Sequence, residues 1–149
     1  MNNSIDKLIE TSSRDLHNVI LHAKSTGKTI YVCGNGGSAT MSDHFAQDLL
    51  GKGYRAISLC NSGNITAIAN DFNYSEIFSH QIKVLANKGD LLIAMSCSGV
   101  SPNILTAKLQ AKNIGLEIFS LPTNDETKLP TTHTQDIHLK IFHNVYQVL

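Results

Sequence analysis

Cysteine is scarce and unpaired in this sequence. Cys33, Cys60 and Cys97 are odd in number and show no C-x-x-C spacing, which excludes a disulfide framework or a zinc knuckle and predicts reduced thiols packed as small buried hydrophobes. No apolar run reaches the ~20 residues needed to cross a bilayer, and no basic-then-apolar leader opens the chain. The expectation is therefore a soluble, cytoplasmic protein with no membrane partner. Net charge is lacking as well: 12 basic and 12 acidic residues cancel, so no global field draws the chain onto nucleic acid or an anionic surface. Small molecules and other proteins remain as partners. At 149 residues the chain fits one domain that can hide roughly two thirds of the surface its unfolded form exposes.

Against these absences stands a repeated alternation of strand and helix signals. From Ser4 to Lys24, Ile5, Leu8, Ile9, Leu16, Val19, Ile20 and Ala23 recur at helical spacing, with a break expected near Ser12-Ser13 and a stop at Gly27. "KTIYVC" (28–33) is a strand signal that runs into Gly-Asn-Gly-Gly and then an apolar-periodic stretch to Leu50. The same grammar recurs in "RAISLC" followed by "NSGNITAIAND", and in "DLLIAMSCS" followed by "GVSPNILTAKLQAKN", with "LEIFSL" as a fourth short apolar run. A helix is expected over Tyr74 to Asn87, using Ile77, Phe78, Ile82, Val84 and Leu85, and another over Thr134 to Leu149, using Ile137, Ile141, Val145 and Val148. Near-continuous apolar strands alternating with helices predict an α/β fold, a doubly wound parallel sheet covered on both faces.

In such a sheet ligands gather beyond the carboxyl ends of the strands, where helix N-termini aim backbone N–H groups outward. Three segments fall there. Gly34 to Ser38 combines glycines, which allow a tight turn and close approach of a ligand, with Ser38 as a helix cap. Alone it reads equally as a strand-to-helix corner, and it matches neither G-x-G-x-x-G nor G-x-x-x-x-G-K-[ST]. In Ser96-Cys97-Ser98-Gly99-Val100-Ser101-Pro102, hydroxyls surround a glycine, and Ser101-Pro102 marks a helix start. Capping accounts for Ser101 and Pro102; Ser96 and Ser98 point instead to a phosphate cradle made of hydroxyls and a helix dipole. Asn70-Asp71 closes an apolar helix, and its default reading is a C-terminal turn.

His44 and Asp48, spaced i, i+4, share one helix face. Gln135, His138 and His143 lie on the last helix, with positions 135 and 143 a little over two turns apart. Imidazoles with a carboxylate suit zinc, although helical histidines are more often solvent-facing or satisfied structural residues, the reading given to His17, His22, His80 and His133.

Taken together, "CGNGGSA" with downstream "HFAQDL", then "AIANDF", "GDLLIAMSCSGVS" and "TQDIHLKIFH", resemble the sugar isomerase (SIS) domain family, and within it the sedoheptulose 7-phosphate isomerases. The resemblance runs from Gly27 to His143. It implies a single SIS domain over 1–149, of three-layer, flavodoxin-like or Rossmann-like architecture, with 1–26 as an N-terminal helical segment. The implied reaction converts sedoheptulose 7-phosphate to D-glycero-D-manno-heptose 7-phosphate through an enediol, on the route to ADP- or GDP-heptose for lipopolysaccharide or capsule. By position, it implies sugar contacts from Asn35, Gly36, Gly37, Asn70 and Asp71, with phosphate contacts from Ser96, Cys97, Ser98 and Ser101. It implies one zinc per subunit, held by His44, Asp48, Gln135 and His143, and no nucleotide cofactor. Asp48 and Gln135 also face substrate in that scheme; Asp48 stands where the family has a basic glutamate, and His143 is the acid. A homotetramer is implied, its terminal helices packed between subunits.

Three positions and one segment depart from the family pattern. Asp48 is one methylene shorter than glutamate, Cys97 replaces threonine and loses a hydroxyl donor, and Met41 occupies a place where aspartate is common, while Asp43 faces elsewhere. Between Leu121 and Gln135 the segment is too short for the family's additional strand and loop; either the fifth strand is absent or residues are missing there, and the second is expected because loss of an edge strand would bare an apolar edge. The Ser-x-Ser-Gly-x-Ser loop alone also suits an isomerase of another sugar phosphate. A catalytically silent, partner-binding SIS module would have no reason to keep His44, Asp48, Gln135 and His143 together.

Overall fold

The structure, a computed structural model, describes residues 3–149. Four short strands form its centre: β1 (Ile30–Cys33), β2 (Ala56–Ser58), β3 (Leu91–Ala94) and β4 (Glu117–Ser120). All pair in parallel, in the order β2-β1-β3-β4. Every residue of β1 and β3 is buried, so alternate side chains must find cover on opposite faces. Ile30, Val32, Leu91 and Ile93 enter one core with Leu16, Ile20, Phe45, Leu49, Ile137, Ile141 and Val145, from α1 (Asn3–Ser25), α2 (Gly37–Gly51) and α7 (Thr131–Val148). Tyr31, Cys33, Leu92 and Ala94 enter the other, against α3 (Ser62–Asp71), α4 (Ser79–Leu85) and α5 (Pro102–Ile114). The result is the expected three-layer α/β sandwich, with all three cysteines buried and unpaired.

The chain leaves β1 in one direction to reach β2 and returns to lay β3 on its other side. This strand-order reversal opens a crevice between the carboxyl ends of β1 and β3. The Gly34–Gly37 turn and the Ser96–Ser101 loop follow those two strands, so topology sets them side by side.

Several sequence expectations need correction. α1 is unbroken through Ser12-Ser13; Ser13 instead accepts a hydrogen bond from Asn144 Nδ2 of α7 at 3.4 Å. The helix expected over Tyr74 to Asn87 is a 3-10 turn (Tyr74–Glu76) followed by α4, which lets the adjacent Ile77 and Phe78 both enter the core while Val84 and Leu85 face solvent. Val148 is likewise exposed at the end of α7.

Between Leu121 and Gln135 the chain runs through α6 (Asn124–Thr127) directly into α7, and no fifth strand occurs among the described residues. β4 is thus a sheet edge, kept to four residues and opened by the charged Glu117, both features that discourage edge-to-edge pairing. A capping box starts α6: the Thr123 N–H and hydroxyl both donate to Glu126 Oε2, at 2.8 and 3.0 Å. The Asn124 N–H then donates to the Cys97 carbonyl at 2.7 Å, so this short segment braces the serine loop from behind.

Candidate active site

Three glycines shape the turn after β1. Gly36 has φ 55 and ψ −121, a backbone region that side chains oppose. A Cβ on Gly34 would lie 2.6 Å from the Ser38 Cβ, and one on Gly37 would lie 3.2 Å from both polar atoms of the Gln135 amide. Gly36 is therefore the N-cap, and α2 begins at Gly37. Ser38, expected as the cap, lies within the first turn, buried, with no capping bond, because the glycine conformation starts the helix earlier.

Ser101 occupies the N-cap position of α5 and Pro102 follows at the first helical residue, as expected, yet the Ser101 hydroxyl makes no capping bond. It turns inward, accepting from Ser96 Oγ at 3.1 Å and lying 3.5 Å from Ser98 Oγ. Ser96 and Ser98 hydroxyls are 3.4 Å apart. Three hydroxyls thus converge in front of a helix N-terminus, an arrangement that suits an anion with several acceptor oxygens.

These hydroxyls line a cavity of about 190 Å³ together with Asn35, Ser38, Met95, Cys97, Thr131 and Gln135. Burial raises the Cys97 thiol pKa, with the neighbouring Ser38 hydroxyl opposing the shift, so Cys97 meets a ligand as a neutral thiol. Asn70 and Asp71 lie elsewhere, at the exposed end of α3, where Asn70 Nδ2 donates to Asp71 Oδ1 at 3.1 Å. Sequence reading did not single out Asn103, which pairs with Asn35 from α5; a polar residue at a buried position of an otherwise apolar helix face was the available signal.

A second cluster stands further along α2 and α7. Phe45 and Phe142 stack with ring centroids 4.0 Å apart and planes 11° from parallel, clamping the two helices together. Beside that clamp, His44 Nε2 lies 3.3 Å from Asp48 Oδ2, with His44 53% and Asp48 19% exposed. The His143 ring is 6.0 Å from that of His44. His44, Asp48 and His143 line one small recess with Met41, Phe45, Leu139 and Phe142. Gln135 lies eight residues before His143 on α7, about 12 Å along a helix, and so belongs to the serine cavity instead. Two imidazoles and a carboxylate make a donor set whose chemistry fits zinc. Among the described residues, no group of three or more His, Cys, Asp or Glu side chains is drawn close enough to hold an ion by itself. Asp43 faces β2 and accepts from the Ser58 hydroxyl, away from the site as expected.

His138 ties α7 to the segment that follows β4. It is fully buried, and its Nε2–H donates to the Pro122 carbonyl at 2.6 Å, while Nδ1 has no partner. Burial pushes its pKa below the usual 6.5, and the Pro122 bond and the Glu126 charge only partly offset this. Because the folded-state pKa is depressed, the stabilisation is present above pH ~6.5 and is lost as pH falls through the folded value. The melting temperature is expected to fall as pH drops below ~6.5 in the native protein, and this slope should flatten in His138→Gln. Parallel pH profiles by differential scanning calorimetry would show the assignment to be mistaken.

The SIS domain family model matches residues 1–122. Phosphoheptose isomerase of Helicobacter pylori (strain P12) is 38% identical over 160 aligned residues, covering 94% of this chain and 83% of that protein. The phosphoheptose isomerase of Shewanella halifaxensis is 38% identical over 149, covering 84% and 75%. Among solved structures, phosphoheptose isomerase GmhA from Neisseria gonorrhoeae superposes with a TM-score of 0.91 at 26% identity, over 97% of this chain and 88% of that one. A phosphoheptose isomerase from Francisella tularensis gives 0.82 at 25% identity, over 93% and 84%. With its fold, its serine loop and its sequence all leading to one group of proteins, the chain belongs to the SIS domain family, in the phosphoheptose isomerase branch.

Proposed function

We propose that the protein is a phosphoheptose isomerase, interconverting sedoheptulose 7-phosphate and D-glycero-D-manno-heptose 7-phosphate in the cytoplasm to supply heptose for lipopolysaccharide or capsule. The observation that carries this reading is the single cavity on which Ser96, Ser98 and Ser101 converge with Asn35 and Gln135, in a chain so similar to named phosphoheptose isomerases. Phosphate is held by the three hydroxyls and the N–H groups of α5. Asn35, Gly36 and Gly37 meet the sugar hydroxyls beside Gln135, which lines the same cavity; Asn70 and Asp71, at the exposed end of α3, stand outside it.

Moving a carbonyl by one carbon needs a base to take a carbon-bound proton and an acid to serve the neighbouring oxygen. Asp48 is the base and His143 the acid; both line one small recess between α2 and α7. His44, Asp48 and His143 are the residues that would hold zinc, which when bound supplies Lewis-acid stabilisation of the enediolate charge; Gln135, implied as a fourth ligand by the family resemblance, lines the serine cavity in this structure. No nucleotide cofactor enters the scheme. Homotetramer assembly, with α1 and α7 between subunits, is part of the same proposal.

The test is direct. Purified protein incubated with sedoheptulose 7-phosphate is expected to form the aldose, to lose activity on chelation and to regain it with zinc, with close to one zinc per chain by elemental analysis. Absence of product beyond an Asp48→Asn control would overturn the assignment. Turnover of a different sugar phosphate in its place would keep the fold's chemistry and change the substrate.

A further inference from the structure

We infer that Asn103, on the first turn of α5, is a positioning residue that holds the Asn35 side chain against the sugar and registers it to the serine loop. The inference rests on the reading of this cavity as a sugar-phosphate site. Asn35 sits on the glycine-rich turn after β1, between Gly34 and Gly36, where the backbone does little to orient a side chain. Asn103 is 2% exposed and belongs to a regular helix. Its Nδ2 donates to Asn35 Oδ1 at 2.7 Å, and Asn35 Nδ2 donates back to Asn103 Oδ1 at 2.9 Å.

A reciprocal amide pair of this kind is self-orienting. Each amide gives one N–H and one lone pair to the other, so turning either one over alone would set oxygen against oxygen and nitrogen against nitrogen. The Tyr74 hydroxyl adds a third constraint, donating to Asn35 Oδ1 at 3.4 Å. The pair uses one of the two Asn35 amide N–H groups, and Asn35 lines the cavity with Ser96, Ser98 and Ser101.

Geometry also says why this partner matters. Asn103 lies two residues after Ser101 on the same helix start, so the pair bolts the sugar end of the cavity to its phosphate end across 68 residues of sequence. A substrate gripped at both ends needs that distance fixed before it binds, and helix-borne groups fix it better than loops do. A buried asparagine with a purely structural role would stabilise the fold without knowing which substrate group Asn35 meets.

A double-mutant cycle separates the two roles. KM and kcat for sedoheptulose 7-phosphate are measured on the native protein, Asn35→Ala, Asn103→Leu and the double variant. Asn103→Leu is expected to raise KM about tenfold, the worth of one well-made hydrogen bond, with kcat changed far less. In the Asn35→Ala background the same substitution is expected to add nothing. Equal KM effects in both backgrounds, or an unchanged KM in Asn103→Leu, would overturn the inference. Should the leucine variant fail to fold, Asn103→Ser gives the same comparison with a smaller side chain. An NMR readout is independent of turnover: the two Asn35 side-chain amide protons are expected to be well separated and slow to exchange, and to collapse toward free-asparagine positions on Asn103 replacement. If they do not respond, Asn103 does not hold Asn35. If the native protein fails to turn over heptose phosphate, the functional reading fails while the NMR result still decides this one.

Discussion

Asp48→Asn is expected to reduce kcat about a thousandfold, within the 10²–10⁴ range that general acid-base groups contribute, while leaving the fold intact. Asp48 is partly exposed, and its side-chain partner is His44 at 3.3 Å, a contact of a kind worth no more than about 1 kcal/mol to stability near a surface. The loss should therefore fall on catalysis, with the melting temperature of the metal-free protein unchanged. Asp48→Glu is the more telling variant. The family resemblance implies glutamate at this position, and placing a base about one ångström short costs on the order of a hundredfold in rate. Restoring the methylene is expected to raise kcat by up to that factor, because the i, i+4 spacing to His44 is unchanged. Initial rates of aldose formation decide the matter: an asparagine variant that retains most of the native kcat would remove Asp48 from the chemistry.

Much of the scaffold behind this prediction was legible in the chain, and the reasons differ by element. β1 and β3 are buried along their whole length, so both read as uninterrupted apolar runs, and a parallel sheet followed. The break foreseen at Ser12-Ser13 rested on helix propensity, worth about half a kcal/mol per serine. Burial of Leu16, Ile20 and Ala23 in the same helix easily outweighs that. The Tyr74–Asn87 stripe failed for another reason. Ile77 and Phe78 are adjacent in sequence and both fully buried, which a single amphipathic helix accommodates poorly and a 3-10 turn before α4 accommodates well.

The candidate site was legible as residue types but not as groupings. Ser96, Ser98 and Ser101 announced themselves by local spacing, and the structure adds that the N-cap serine gives up its capping bond to face the others. Gln135 and His143 share a face of α7 toward α2, as the periodicity implied. Only the fold reveals that one meets Gly37 at the start of α2 while the other stands beside His44. Asn103 could not be found by spacing, since its partner lies on a different strand-to-helix turn.

Ser98→Asp should be the most damaging single change to binding. Ser98 is exposed at the mouth of the cavity, and its hydroxyl accepts the Val100 N–H at 3.2 Å, a bond an aspartate carboxylate can also accept. Folding should therefore tolerate the substitution. The new charge, however, would stand within a few ångströms of the ligand phosphate. Two unit charges of one sign 4 Å apart at an effective dielectric constant of about 20 repel by about 4 kcal/mol, so KM is expected to rise about a thousandfold. Screening should soften the penalty as salt is raised, whereas Ser98→Ala, which only removes a donor, should cost about tenfold and show little salt dependence. Titration of each variant with substrate at low and high ionic strength separates the two effects. Similar affinities for the aspartate, alanine and native proteins would move the phosphate away from this loop, and with it the orientation that puts the reacting carbons toward Asp48 and His143.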